Sequence, residues 1–190
     1  MRIVKLGGSL MQDPAFLKHS LNTLAKQSKD KIVIVPGGGD FANQIRSLQK
    51  QWNFNQEIAH QMAILSMQQM ALLFNSISPF LSIANTVSKI QQTLTHHSVV
   101  IWSPEIQELN ASKIKASWDI SSDSLSAWLA EQLNAKQLIV VKSAKIPTKT
   151  NFVLMQKQGL LDKAFHQFTE NASYKVNIIN KHSFNEYFPL

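Results

Sequence analysis

Apolar residues along this chain fall into short continuous runs, separated by longer stretches with helical periodicity. Arg2 to Leu6 is one such run, and it ends on Gly7-Gly8-Ser9. Ile32-Val33-Ile34-Val35 is the next, and it stops at Pro36-Gly37-Gly38-Gly39. Val99-Val100-Ile101-Trp102, Leu138-Ile139-Val140-Val141 and Val176-Asn177-Ile178-Ile179 follow. A run that is apolar at every position predicts a strand buried on both faces, as in a parallel sheet. Between the runs, Phe16, Leu17, Leu21 and Leu24 recur at helical spacing. They predict a helix from about Asp13 to Lys29, with Asp13 as its cap and Pro14 in its first turn. Further helices are predicted over Asp40 to Gln51, Asn55 to Ser78, Ser121 to Leu133 and Gly159 to Thr169. Phe152 to Met155 reads as an edge strand. Strands alternating with helices predict an α/β protein, a three-layer αβα sandwich around a mainly parallel sheet.

No repeat, low-complexity segment or long flexible linker interrupts this order, so residues 1–190 read as one domain. At 44% hydrophobic, the chain has enough apolar surface for a real core. Cysteine is absent, which excludes disulfides, thiolate metal sites and a thiol nucleophile. The first residues run straight into a strand and lack the layout of a signal peptide. The most apolar stretch, Met62 to Ala84, is broken by Gln68, Gln69, Asn75, Ser76, Ser78 and Pro79, so no membrane span is expected. These features predict a soluble, cytoplasmic protein.

The net charge of +7 admits three readings. The lysines are scattered (Lys26, Lys29, Lys31, Lys113, Lys115, Lys136, Lys142, Lys145, Lys149), and no aromatic residues interleave with them as a base-stacking platform requires. Surface lysine in excess is the plainest reading. A phosphate-rich ligand comes next and nucleic acid last.

Two strands end in glycine clusters, each followed by a helix. Ligands of open α/β sheets bind beyond the carboxyl ends of the strands. Glycine lets backbone turn sharply there, and N–H groups at the next helix start attract anions. Gly7-Gly8-Ser9 and Gly37-Gly38-Gly39 are therefore candidate phosphate cradles, with Lys5 placed to neutralise charge. Ordinary turn glycines are the alternative reading. The pattern G-x-x-x-x-G-K-[ST] does not occur, G-x-G-x-x-G fails for want of its third glycine, and the protein-kinase H-R-D set is missing.

Lys5-Leu6-Gly7-Gly8-Ser9, Pro36-Gly37-Gly38-Gly39-Asp40-Phe41-Ala42 and Ser121-Ser122-Asp123-Ser124-Leu125-Ser126-Ala127 together resemble the amino-acid-kinase family over roughly residues 1 to 143. Ser117-Trp118-Asp119-Ile120-Ser121-Ser122-Asp123, Ala127-Trp128-Leu129-Ala130 and Ala59-His60-Gln61-Met62-Ala63 are similar to a narrower group. These are the aminomethyl-furanmethanol-phosphate kinases of methanofuran-type cofactor synthesis. The resemblance implies a carbamate-kinase-like sandwich, with an acceptor half over 1–115 and a short nucleotide half over 116–190. It also implies transfer of the γ-phosphoryl of ATP, with Mg²⁺, to a small phosphorylated acceptor, giving a diphosphate. Lys5 would bridge the transferring group, and Gly7, Gly8 and Ser9 would wrap the ATP phosphates. Gly37, Gly38 and Gly39 would hold the acceptor side and the γ-phosphate, and Asp123 would orient the lysines and help organise Mg²⁺. Lys142 would line the nucleotide site. No dedicated metal site is expected of the protein, and a homo-oligomer is.

The family's Asp-Gly after the fourth predicted strand is replaced by Lys142-Ser143-Ala144-Lys145-Ile146-Pro147. The second active-site lysine is open between Lys142, Lys145 and Lys163. This departure motivates an alternative, a non-catalytic small-molecule-binding protein on a kinase scaffold; a uridylate-type nucleoside monophosphate kinase is a third reading within the family. His60 is a packed histidine or a substrate contact. Asp119 is a helix cap or the receiver of a substrate amine, with Trp118 stacking on a furan ring. His96-His97 is a loop pair without a ligand set for a metal. Met62, Met67 and Met70 belong to core or dimer interface.

Overall fold

The computed structural model describes residues 1–27, 30–147 and 151–189. Lys29, the expected end of the first helix, and Lys149 lie outside the described residues. Six strands form one sheet: β1 (Arg2–Leu6), β2 (Ile32–Pro36), β3 (Ser82–Ala84), β4 (Val99–Trp102), β5 (Gln137–Lys142) and β6 (Lys175–Asn180). Their order is β3-β4-β2-β1-β5-β6, and every pairing is parallel. The helices are α1 (Pro14–Ala25), α2 (Gly39–Trp52), α3 (Gln56–Ile77), α4 (Val87–Thr93), α5 (Ile106–Ala111), α6 (Ser122–Gln132), α7 (Phe152–Lys157), α8 (Phe165–Thr169) and α9 (Phe184–Tyr187).

The continuous apolar runs serve both faces, as expected of a covered parallel sheet. Ile3, Val33, Val35, Val100, Leu138 and Val140 face one core, with α6 and the second half of the chain. Val4, Leu6, Ile32, Ile34, Ile101 and Ile139 face the other, with α1 and α9. Two cores flanking one sheet make the three-layer sandwich.

Asp13 caps α1 as expected, accepting from the Phe16 N–H at 3.0 Å. Three short elements carried too little pattern to be foreseen: β3, α4 and α5. Two expectations are corrected. Phe152 to Met155 is not an edge strand but the start of α7, because Asn151 caps it by accepting from the Leu154 N–H at 2.9 Å. The helix expected over Gly159 to Thr169 is confined to α8, because Gly159 has φ +70° and Asp162 is drawn away to α6.

No helix among the described residues is long and apolar enough to cross a membrane.

Candidate active site

β1 lies at the centre of the sheet, between β2 and β5. Side chains alternate along a strand, so Lys5 shares the face of Ile3, and Lys142 shares that of Leu138 and Val140. The two lysines therefore emerge on one side, at the carboxyl ends of adjacent strands, with Lys5 in register with Val140. That side is covered by α6, whose residues Ser122 to Ala130 are all buried. Asp123, in the first turn of α6, meets both lysines. Its Oδ2 accepts from Lys142 Nζ at 2.6 Å, and its Oδ1 lies 2.7 Å from Lys5 Nζ in an ion pair outside hydrogen-bond alignment. Lys5 and Asp123 are each 3% exposed.

Burial opposes the charged form of Asp123, but the charges of Lys142 and Lys5 outweigh it and hold the carboxyl well below its usual range. Lys142 is pulled down to about 8, first by burial and then by Lys5, against the attraction of Asp123 and Asp162. Two cations share one anion here, so the cluster keeps a net positive charge at neutral pH.

The glycine loops sit over this cluster, and each braces the other. A Cβ on Gly8 would stand 2.4 Å from Gly39 N, and one on Gly37 would stand 2.4 Å from Gly8 N. Gly39 also has φ +58°. The Gly7 N–H donates to Val141 O at 3.0 Å and the Gly37 N–H to Leu6 O at 2.9 Å. These two amides are committed to the sheet, which leaves Gly8, Ser9, Gly38 and Gly39 as the loop residues that border a cavity of about 380 Å³.

The cavity is walled by one face of α2 (Ala42, Asn43, Arg46) and one face of α3 (His60, Ile64, Met67). His60 is buried, its Nε2 has no partner among the described residues, and burial pushes its pKa down, which favours the neutral ring. Trp118 also lines the cavity. It donates to Gln49 Oε1 at 2.6 Å, and the Arg46 guanidinium lies 3.9 Å from its ring centroid. Arg46 was not foreseen. The signal lay in the stripe Gly39, Ala42, Asn43, Arg46: small and polar residues at helical spacing that lead from the glycine loop to a cation.

Other expected residues fall into place less directly. Asp119 does not cap α6; Ser121 holds that position, and Asp119 instead makes an exposed ion pair with Lys163 at 3.2 Å. Lys145 is exposed. Of the three candidates for a second lysine, Lys142 is the one ion-paired with Asp123. The segment after β5, which lacks Asp-Gly, is held by Asn180 Nδ2, which donates to Ser143 O at 3.2 Å and to Ala144 O at 2.7 Å. Ser9 and Ser143 hydroxyls lie 2.7 Å apart and tie that segment to the first loop. Trp128 is structural: its ring centroid is 5.9 Å from that of Trp102 in the core. Met67 and Met70 are core residues, whereas His96 and His97 are exposed.

A buried lysine–aspartate–lysine cluster thus lies under paired glycine loops at the carboxyl edge of a parallel sheet, where the ligands of open α/β sheets bind. Residues 1–145 match the amino acid kinase family, and the chain belongs to it. Over 140 residues it is 33% identical to (5-(aminomethyl)furan-3-yl)methyl phosphate kinase of Methanocaldococcus jannaschii, covering 74% of this chain and 64% of that relative. The chain thus spans less than two thirds of this relative's length. Uridylate kinase from Archaeoglobus fulgidus shares the fold at a TM-score of 0.71 and 16% identity, over 95% of this chain and 91% of that one. UMP kinase from Bacillus anthracis does so at 0.73 and 14%, over 95% and 87%. Aspartate kinase from Synechocystis does so at 0.72 and 11%, over 96% and 38%.

Proposed function

We propose that this protein is an ATP-dependent phosphotransferase for a small phosphorylated acceptor. Its best candidate is (5-(aminomethyl)furan-3-yl)methyl phosphate, converted to the diphosphate for a methanofuran-type cofactor. The observation that carries the reading is the Lys5–Asp123–Lys142 cluster: Asp123 and Lys142 border a second cavity, which shares Arg46, Trp118 and Ser121 with the glycine-lined one. Phosphoryl transfer asks for positioning and charge stabilisation more than for a covalent catalyst. An oxygen of the acceptor phosphate takes the γ-phosphoryl group of ATP, the bond to the β-phosphate oxygen breaks, and ADP leaves. Lys5 and Lys142 offset the charge on the transferring group, and Asp123 holds both in place. N–H groups of Gly8, Ser9, Gly38 and Gly39 point donors at phosphate oxygens. Gly7 and Gly37 contribute by shaping the loops.

Arg46, His60 and Trp118 form the acceptor wall. The neutral His60 ring, with a free nitrogen, suits a hydrogen bond to the acceptor, and Arg46 suits its phosphate. Asp119 borders the second cavity, beyond Trp118, and suits the acceptor's amine. The donor set fits Mg²⁺ carried on the nucleotide. Among the described residues no group of three or more metal-ligating side chains occurs, and both Asp123 oxygens face lysines. Mg²⁺ commonly binds through substrate phosphates and would supply further charge neutralisation there.

The test is an ADP-release assay with Mg-ATP and a panel of the furan phosphate, UMP, acetylglutamate and aspartate. Turnover with the furan phosphate supports the reading. Turnover with UMP alone assigns the uridylate-type activity. Silence across the panel in folded protein favours a non-catalytic binding protein.

Lys142 adds a pH signature. Its ammonium is needed as a cation and titrates at about 8. The active form therefore dominates below that pH, and kcat/KM should fall about tenfold per unit above it. A flat profile to pH 10 would remove Lys142 from the mechanism.

The reading includes a homo-oligomer. Ile58, Leu65 and Leu72 recur every seven residues on α3 and are 45%, 47% and 64% exposed, a stripe suited to a second copy of the same helix. Light scattering on Leu65→Glu tests it: a smaller mass than the wild type supports the stripe, and an equal mass rejects it.

A further inference from the structure

The start of α6 is capped from outside its own sequence. Ser121 occupies the cap position, yet its side chain accepts no hydrogen bond from the helix. A cap side chain normally accepts from the N–H three residues on. Here Asp162, from the loop before α8, does so in its place. Asp162 Oδ2 accepts from Ser124 N, Ser121 N and Ser121 Oγ, each at 2.9 Å. Its Oδ1 accepts from Ser124 Oγ. One carboxylate thus takes four donors that bracket Asp123 in sequence. The loop that carries it is itself fastened: Gln156 Nε2 donates to Asp162 O at 3.1 Å and to Lys163 O at 2.6 Å, and Ala164 N donates to Asp119 O at 2.9 Å.

We propose that Asp162 is a positioning residue for phosphoryl transfer: by capping α6 across the chain it sets where the Asp123 carboxylate, and so both lysines, stand. The inference rests on the kinase reading for its effect on rate, but not for its geometry. Four hydrogen bonds to a charged acceptor define the direction and depth of the first turn of α6. Asp123 lies in that turn, so a slip of the cap displaces the carboxylate that both lysines share. A misplacement of about 1 Å in such a constellation can cost about 10²-fold in rate. The charges facing Lys142 come from three elements: Lys5 on β1, Asp123 on α6 and Asp162 on the loop. Asp162 attracts the Lys142 proton, so its removal moves Lys142 titration to lower pH.

The experiment compares Asp162→Asn, Asp162→Glu, Ser124→Ala and the Asp162→Asn/Ser124→Ala pair with the wild type, using the acceptor that the panel identifies. Two readouts are taken: kcat and KM, and NMR titration of Lys142 in protein labelled at lysine Cε, assigned with Lys142→Arg. Asp162→Asn keeps the volume but presents an amide to N–H donors. It should lower kcat about 30-fold, leave the acceptor KM within about twofold, and shift the Lys142 midpoint down. Ser124→Ala should give a smaller loss, and the pair should fall short of the product of the two, because both act through one contact. Wild-type kcat together with an unmoved Lys142 midpoint in Asp162→Asn overturns the proposal, as does a loss confined to KM. If Asp162→Asn does not fold, Ser124→Ala carries the same two readouts. A wild-type protein with no turnover on any acceptor defeats the kinase reading alone. The Lys142 midpoint then still decides whether Asp162 governs the cluster.

Discussion

Lys5→Ala is expected to lower kcat by about 10³-fold while the protein stays folded, since removal of one preorganised charge-stabilising donor costs about 10²–10³ and this one is a full cation. The fold should survive because the cluster has a surplus of positive charge. Lys142 stays 2.6 Å from Asp123 when Lys5 is gone, so the buried carboxylate keeps a partner. Two secondary signs accompany the loss. Lys5 repels the Lys142 proton, so its removal moves the Lys142 titration above about 8. Lys5→Met, which keeps the aliphatic stem in β1, should be as inactive as Lys5→Ala with a higher melting midpoint. The checks are ADP release, far-ultraviolet circular dichroism and thermal melting. Turnover within tenfold of the wild type would place Lys5 outside the reaction.

Asp123→Ala should act chiefly on stability. Removing the common partner of a buried ion cluster leaves two ammonium groups uncompensated, and breaking such a pair costs about 3–5 kcal/mol. Lys5 has a side chain 4% exposed and Lys142 one 14% exposed, so water relieves the second more than the first. The loss is read as a lower urea midpoint. Its pH dependence has a definite sign. A lysine whose folded pKa lies below its ordinary 10.5 binds fewer protons folded than unfolded between the two values, so stability rises with pH across that window. In the wild type the Lys142 window runs from about 8 to 10.5. In Asp123→Ala, Lys142 loses the charge that held its proton, its window widens downward, and stability should recover as pH climbs towards 10. A variant that unfolds at the wild-type midpoint, or that weakens with rising pH, would contradict the buried cluster.

Both predictions involve residues visible in the sequence, but for unequal reasons. Lys5 was legible because it precedes a strand end that runs into glycines, whereas Asp123 was legible through the resemblance of Ser121 to Ala127 to the family's helix-start motif. Lys142 was one of three candidates. The parity of β5 and its neighbour β1 selects it, and that parity is known only once the strands are paired. Arg46 was hidden because a lone arginine in a polar helix matches a solvated face. Its place over Trp118 depends on how α2 meets the segment before α6. The expected strand at Phe152 failed because the Asn151 cap outweighed a short apolar run.

The sequence by itself determined the α/β order, the doubly covered parallel strands and the two glycine loops. These depend on local signals: runs buried on both faces, helical periods, and backbone that only glycine can form. The tertiary structure alone decided why Gly8 and Gly37 tolerate no side chain, which lysine joins Asp123, and which carboxylate caps α6. Each is a contact between segments far apart along the chain, such as Asp162 with Ser124. Such contacts are set by sheet order, strand parity and helix placement, and no local pattern of residues encodes them.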